Sequence, residues 1–176
     1  FVSSAGLHTS GLTSMNIHGL TVAAHAHFGK DVSLTGAPIF YLGSEVISRA
    51  KTIDEAINII KSHKPHANWT LVISSAKENK AVAVELTPKE CHVRHMQNGK
   101  LAHTNFFHNE KLNKNEALIC GGRHDDDFAR IMRMHEEIEK NRENVTVENL
   151  MSMCGDHWDP HSKQFRIYGN GLFEAQ

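Results

Sequence analysis

The sequence predicts an α+β fold in which helices pack against a sheet built from hairpins. Short β-rich segments are joined by tight turn signals, and Ala81 to Val84 is almost continuously apolar, as expected for a strand covered on both faces. Two other segments repeat apolar residues at helical spacing. With 176 residues, 40% of them hydrophobic, the chain can bury a core, and we predict a single domain over residues 1–176.

Composition excludes several classes of partner. The formal net charge is −1, and no run of Lys or Arg offers a surface for nucleic acid or an anionic membrane. No apolar run reaches membrane-spanning length, so we expect a soluble protein. The odd set of Cys91, Cys120 and Cys154 predicts free thiols rather than disulfides or a zinc ribbon. No metal or other cofactor is predicted, and a homo-oligomer is left open.

A hairpin is predicted first. Leu7 to Met15 and Leu20 to Ala24 flank the sequence Asn16-Ile17-His18-Gly19, in which Asn16 and Gly19 favour a turn. Alternation beyond the second strand places His25 and His27 on one face. Such a pair also occurs in metal sites, but without further ligands we interpret it as polar surface.

Two helices follow. Pro38 is tolerated in a first helical turn, and a capping box at Thr52-Ile53-Asp54-Glu55 starts a second helix in which Thr52 and Glu55 satisfy each other's amides. The apolar stripes of both helices are interpreted as core; they comprise Ile39, Leu42, Val46 and Ile47, and then Ile53, Ala56, Ile57 and Ile60.

A β-meander comes next, with strands at Trp69 to Ser74, Ala81 to Leu86 and Cys91 to Met96. The dipeptide Asn98-Gly99 then predicts a tight turn and a returning strand, Leu101 to Thr104.

Asn105 follows this predicted strand and is the candidate catalytic residue. A carboxamide at a strand end, beside the apolar Phe106 and Phe107, can direct an N–H donor at a developing oxyanion. The alternative is a simple hairpin exit, because Asn is common where strands end in turns. Phe106, Phe107 and His27 are candidate substrate contacts.

A later helix is predicted from Asp125 to Glu139. Its apolar residues recur at helical intervals, and we interpret Asp125, Asp126 and Asp127 as N-terminal residues that complement the helix dipole. For Arg130, an ordinary surface ion pair and a site role are both open.

Several of these stretches together resemble one family. They are Ser14-Met15-Asn16-Ile17-His18-Gly19-Leu20, the Thr52 helix, the meander, His103-Thr104-Asn105, Arg130 with Arg133, and Gly155-Asp156-His157-Trp158-Asp159-Pro160. In this order they resemble the acyl-CoA:isopenicillin N acyltransferase-like family of N-terminal nucleophile hydrolases.

The resemblance implies a four-layer αββα sandwich that cleaves or transfers an amide-linked acyl group of a small-molecule substrate through a thioester on an N-terminal Cys. Asn105 matches the oxyanion-hole Asn, and Arg130 matches a site-organising Arg more weakly. The chain begins at Phe1 and its cysteines are internal, so we expect that it is the middle segment of the fold, incomplete at both ends and inactive alone.

Two alternatives remain. One is a relative without the nucleophile that keeps the pocket for ligand binding. The other is a metal-dependent hydrolase that uses His157-Trp158-Asp159-Pro160-His161 with His124-Asp125, although that spacing matches no compact metal motif.

Overall fold

A computed structural model describes residues 12–117 and 121–165, with the backbone alone at 121–124. The chain divides into two compact units, Phe1–Ala117 and Leu118–Gln176. The single domain stays a prediction. In the described part of the chain, no helix combines the length and apolar character needed to cross a bilayer.

The first unit contains a five-stranded antiparallel sheet whose strand order follows the chain order. Each strand therefore pairs with the next one along the chain, as the predicted hairpins require. The strands are β1 (Thr13–Met15), β2 (Leu20–Ala26), β3 (Trp69–Ser75), β4 (Lys80–Leu86) and β5 (Cys91–His95). The helices of this unit are α1 (Ile39–Arg49), α2 (Ile53–Lys61) and the short α3 (Glu110–Asn113).

One face of the sheet forms the hydrophobic core. Alternate side chains of β2, β3 and β4 point to this face and meet the predicted apolar stripes of α1 and α2, all of which are buried. The helix stripes are thereby confirmed as core. The strand residues of the cluster are Leu20, Val22, Leu71, Ile73, Val82, Val84 and Leu86.

The opposite face is polar at its centre, where His25, Thr70 and Glu85 are aligned across β2, β3 and β4. Residues 101–117, which we call the covering loop, lie over this face and bond to it through Arg94 and Glu85. Both faces of β4 are therefore buried from Val82 to Leu86, as the apolar run predicted.

The first hairpin is confirmed for its described part, with Gly19 at φ +77° in the turn. The Oδ1 atom of Asn16 accepts hydrogen bonds from the main-chain N–H groups of His18 and Leu20. Its Nδ2 atom also donates to the carbonyls of Ile47 and Ala50, at 3.1 and 2.8 Å. One side chain thus closes the turn and caps the C-terminal end of α1.

The predicted capping box is only half formed. Thr52 Oγ1 accepts from Glu55 N at 3.2 Å, as predicted. The Glu55 carboxylate instead accepts from the amide of Lys51 at 2.7 Å, because the chain bends there and turns that amide toward it. The reciprocal bond to Thr52 N was therefore a wrong prediction.

The predicted strand Leu101 to Thr104 is also wrong. Asn98 and Gly99 form the turn with positive φ angles of 51° and 74°, but pairing ends with the single bridge between Gln97 and Lys100. Beyond it, Arg94 Nη2 donates to the carbonyl of Ala102 at 2.8 Å, so a side-chain bond replaces the strand ladder.

The second unit contains α4 (Gly121–Lys140), α5 (Val147–Cys154) and a two-stranded pair, β6 (Trp158–Asp159) and β7 (Gln164–Phe165). Because α4 begins four residues before Asp125, the acidic run lies in its second turn and cannot cap it. Asp126 and Asp127 bind Arg130 instead, which corrects the capping interpretation.

The observed mixture of helices with an antiparallel sheet agrees with the predicted α+β class. The described residues do not confirm the four-layer sandwich, since they contain one five-stranded sheet with α1 and α2 on one face. Cys91 and Cys154 are free, as predicted, and Cys120 lies outside the described residues.

Candidate functional site

Asn105 lies at the bend of the covering loop and is bonded to the end of β2. Its Nδ2 atom donates to the carbonyl oxygen of Ala26, the last residue of that strand, at 3.0 Å. This bond uses one of the two hydrogens on Nδ2 and fixes the orientation of the carboxamide. The predicted oxyanion donor is therefore attached to a regular element through its own side chain.

Histidines surround this bond. His25 and His27 share one face, as alternation predicted. The ring centroid of His103 lies 5.2 Å from that of His25 and 5.5 Å from that of His27. The interpretation of the pair as polar surface is wrong for His27, which is 6% exposed. It can be buried because both of its ring nitrogens have partners.

The partners determine which ring nitrogens carry hydrogen. Arg94 can only donate, so the Nδ1 atom of His103, 3.3 Å from Arg94 Nη2, is an acceptor and its Nε2 atom carries the hydrogen. That hydrogen points at His27 Nε2, 3.4 Å away. The Nδ1–H of His27 then donates to the Glu116 carboxylate at 3.2 Å, while Thr70 Oγ1 lies 2.8 Å from its Nε2. A directed chain of hydrogen bonds runs from Arg94 to Glu116.

Burial determines the charge of His103 in this hydrogen-bond network. Burial lowers the pKa of His103 far below its usual value, and the neighbouring His27, His25, His108 and Arg94 lower it further. His103 is therefore neutral in the folded protein. Burial also lowers the pKa of Arg94, an effect that the nearby Glu85 carboxylate opposes.

The aromatic candidates make packing contacts. Phe107 is 1% exposed and stacks on the His27 ring, with centroids 4.1 Å apart and planes 3° from parallel. Phe106 stacks on His108 at 4.7 Å. Substrate contact by Phe106, Phe107 and His27 stays a prediction, and the contacts observed are those that shape the covering loop.

Two carboxylates that sequence reasoning missed hold this loop. Glu85, on β4, accepts hydrogen bonds from the main-chain amides of His108 and Asn109, and Glu116 accepts one from Phe107. A single charge inside the apolar run Ala81 to Leu86 was the available signal for Glu85, because an unpaired carboxylate is rarely buried. No signal in the sequence singled out Glu116.

Arg130 belongs to the second unit, where it lines a pocket of about 330 Å³ with Arg133, Trp158 and the thiol-bearing Cys154. Its guanidinium is bound by Asp126 at 2.8 Å and by Asp127. Its role as a site organiser stays a prediction. In the same pocket, Asp156 is bonded to Arg133 at 2.5 Å. Although burial opposes the shift, bonds from Trp158 N and Arg133 hold the pKa of this carboxyl below its usual value.

The stretch proposed for a metal-dependent hydrolase has a structural use in its described part. Asp159 Oδ1 accepts from the main-chain amides of His161 and Ser162 and thereby closes the turn between β6 and β7. Among the side chains of residues 12–117 and 125–165, no three or more His, Cys, Asp or Glu are grouped so that they could hold a metal ion. The side chain of His124 lies outside the described residues.

Comparison with known proteins adds one finding. The chain matches the family described as Acyl-coenzyme A:6-aminopenicillanic acid acyl-transferase over residues 3–175. Comparison with curated proteins finds no match. The family match covers both units and includes Asn105, His27 and the two carboxylates that hold the covering loop, Glu85 and Glu116.

Proposed function

Because the chain belongs to the acyl-coenzyme A:6-aminopenicillanic acid acyl-transferase family, we propose that it forms the core of an enzyme that cleaves or transfers amide-linked acyl groups of small molecules. Family membership implies acyltransferase or hydrolase activity in general terms. The observation that carries the finer proposal is the Asn105 carboxamide, held at the end of β2 by its 3.0 Å bond to Ala26.

In the proposed reaction, the thiol of an N-terminal Cys outside residues 1–176 attacks the substrate carbonyl carbon while the α-amino group of that Cys takes the thiol proton. A C–S bond forms and the carbonyl oxygen becomes an oxyanion, which accepts a hydrogen bond from the Asn105 carboxamide. The C–N bond then breaks, and the leaving amine takes the proton. Water completes hydrolysis of the thioester, whereas an acceptor amine completes transfer.

The position of Cys91 supports a nucleophile from elsewhere. Cys91 is the first residue of β5. One register row runs from it across the sheet, through Leu86 of β4 and Trp69 of β3 to Ala26 of β2. Three strand spacings separate Cys91 from the carbonyl that Asn105 binds, which is about 14 Å.

The finer fold proposal is that a second sheet of an αββα sandwich lies against the polar face of the first. Away from the covering loop this face carries small or aliphatic half-buried residues, among them Ala23 and Val72, which are paired across β2 and β3. Such residues suit the roughly 10 Å spacing of two packed sheets.

The test uses the complete gene product and a series of N-acyl-4-nitroanilides with acyl chains from acetyl to decanoyl. We expect release of 4-nitroaniline, formation of an acyl hydroxamate when hydroxylamine is the acceptor, and a loss of about 100- to 1000-fold in kcat for Asn105→Ala. Asn58→Ala, on the exposed side of α2, is the matched control. Near-normal turnover by Asn105→Ala contradicts the oxyanion role.

Two other outcomes would favour the alternatives. Binding of these amides without turnover by the complete protein would support a ligand-binding relative. Turnover that a chelator abolishes and zinc restores would support a metal-dependent hydrolase.

A further inference from the structure

Carboxylates hold the main chain at three successive residues, 107–109, which begin two positions after Asn105. Glu116 Oε1 accepts from Phe107 N at 2.7 Å, and the two oxygens of Glu85 accept from His108 N and Asn109 N, both at 2.9 Å. Amide groups bonded to charged acceptors are held more firmly than those bonded to neutral ones. We call Glu85 and Glu116 the carboxylate clamp.

Glu85 is the fixed end of the clamp. It is fully buried on β4, where its register partners are Thr70 of β3 and His92 of β5. Its strand is therefore paired on both sides. Burial of a carboxylate is costly unless its oxygens are satisfied. Here each oxygen receives one main-chain N–H of the covering loop, which ties the loop to the sheet.

Glu116 connects the loop to the end of β2. The Oε1 atom that binds Phe107 N also receives the Nδ1–H of His27. Phe107 is held at two further points, since its ring stacks on His27 and its carbonyl accepts from Asn113 Nδ2 at 3.0 Å. The residue two positions after Asn105 is therefore bound through its amide, its carbonyl and its ring.

These contacts converge on one geometry. Asn105 binds the carbonyl of Ala26, and the next residue, His27, binds Glu116, which binds Phe107. Together with the main chain, these bonds form a closed cycle that includes the Asn105 side chain. A donor for a developing oxyanion must be held to a fraction of an ångström, and a displacement of about 1 Å can cost about 100-fold in rate.

We propose that Glu85 and Glu116 are positioning residues that hold the Asn105 carboxamide in its catalytic geometry. This inference rests on the proposed function, because it takes Asn105 as the oxyanion donor. Neither carboxylate needs to contact the substrate, so the clamp is expected to act on kcat and to leave KM nearly unchanged.

The same substitution at the two positions has different expected results. In Glu116→Gln, the remaining Oε1 atom can accept from both Phe107 and His27, and only the long 3.5 Å bond from Asn113 Nδ2 to Oε2 is lost, so kcat should stay within about 3-fold of wild type. In Glu85→Gln, an NH₂ group replaces one of two acceptors and faces a main-chain N–H, so kcat should fall about 10- to 100-fold. The kcat of Glu116→Ala should fall by a similar factor. Glu143→Gln, at an exposed glutamate, is the control.

A double-mutant cycle separates positioning from loss of stability. With the complete gene product and the N-acyl-4-nitroanilide that it hydrolyses fastest, Glu85→Gln should lower kcat in wild type but add little in an Asn105→Ala background. An equal loss in both backgrounds overturns the positioning role. The positioning role is also overturned if Glu85→Gln keeps the wild-type kcat while Asn105→Ala is strongly impaired.

Each failure has its own signature. If Asn105→Ala retains full activity, the proposed function fails first. If Glu85→Gln does not fold by circular dichroism, the comparison of Glu116→Ala with Glu116→Gln decides. A kcat that is low in Glu116→Ala and restored in Glu116→Gln supports the clamp, and equal kcat values for the two variants refute it.

Discussion

Acid should destabilise the first unit through His103. This residue is 4% exposed and accepts a hydrogen bond from Arg94, so the folded protein keeps it neutral. The unfolded chain protonates it with a pKa of about 6.5. Because its pKa is lower in the folded state, the unfolded state binds more protons below that pH, and stability falls as pH decreases.

The size of the effect follows from linkage. Below pH 6.5 each pH unit removes up to about 1.4 kcal/mol from the free energy of unfolding, which gives about 2 kcal/mol at pH 5 relative to pH 7.5. His103→Gln cannot take up a proton. We expect it to cost about 1–2 kcal/mol at pH 7.5 because the bonds to Arg94 and His27 are poorer. It should then lose about 2 kcal/mol less than wild type between pH 7.5 and pH 5.

Urea unfolding at a series of pH values measures this difference. The fluorescence of Trp69, on β3, reports on the first unit when Trp158 of the second unit is replaced in a Trp158→Phe background. His66→Gln, at an exposed histidine, is the matched control for the loss of an imidazole. Parallel stability curves for wild type and His103→Gln would refute the neutral buried His103.

Two further predictions concern the stability of the first unit, each measured by urea unfolding. Asn16→Ala removes the side chain that closes the first turn and caps α1, and it should cost about 2–3 kcal/mol of unfolding free energy. Asn58→Ala is its control. A loss below about 0.5 kcal/mol for Asn16→Ala contradicts the double role. Gly36→Ala should cost about 2–4 kcal/mol, because the added Cβ would lie 2.4 Å from the Pro65 carbonyl oxygen. Gly99→Ala meets nothing within 4 Å and should cost only about 1 kcal/mol for its positive φ; equal losses at the two glycines contradict the steric argument.

The spacing of apolar residues predicted the helices and strands of the core, because burial of one face of an element determines where its apolar residues fall. The stripes of α1 and α2 and the apolar run of β4 each meet the core where their spacing placed them. Asn16 was correctly assigned to a turn, but its second role required the carbonyl groups at the end of α1, more than 30 residues away. Spacing reports local geometry and contains no such distant partner.

The errors have the same origin. The segment Leu101 to Thr104 has strand-like composition, yet Arg94 takes the Ala102 carbonyl that a ladder would use. His27 resembles a surface histidine until Glu116, 89 residues later, becomes its partner. The sequence singled out Asn105 and His27, whose roles stay predictions, while the network that holds them depends on contacts between distant parts of the chain.

The plain succession of strands has a consequence for folding kinetics. Each strand of the sheet pairs with its neighbour in the chain. Three of the four connections are short turns, which close quickly, and the fourth, between β2 and β3, spans residues 27–68 and contains α1 and α2. The bonds that His103, Asn105 and Glu116 make to residues 26 and 27 join positions separated by 76 to 89 residues. The sheet can therefore assemble before the covering loop docks, and the loop can detach while the sheet stays folded. Hydrogen exchange should accordingly be faster at the amides of residues 107–109 than in β3 and β4, so the arrangement around Asn105 would be the last part of this unit to form and the first to open.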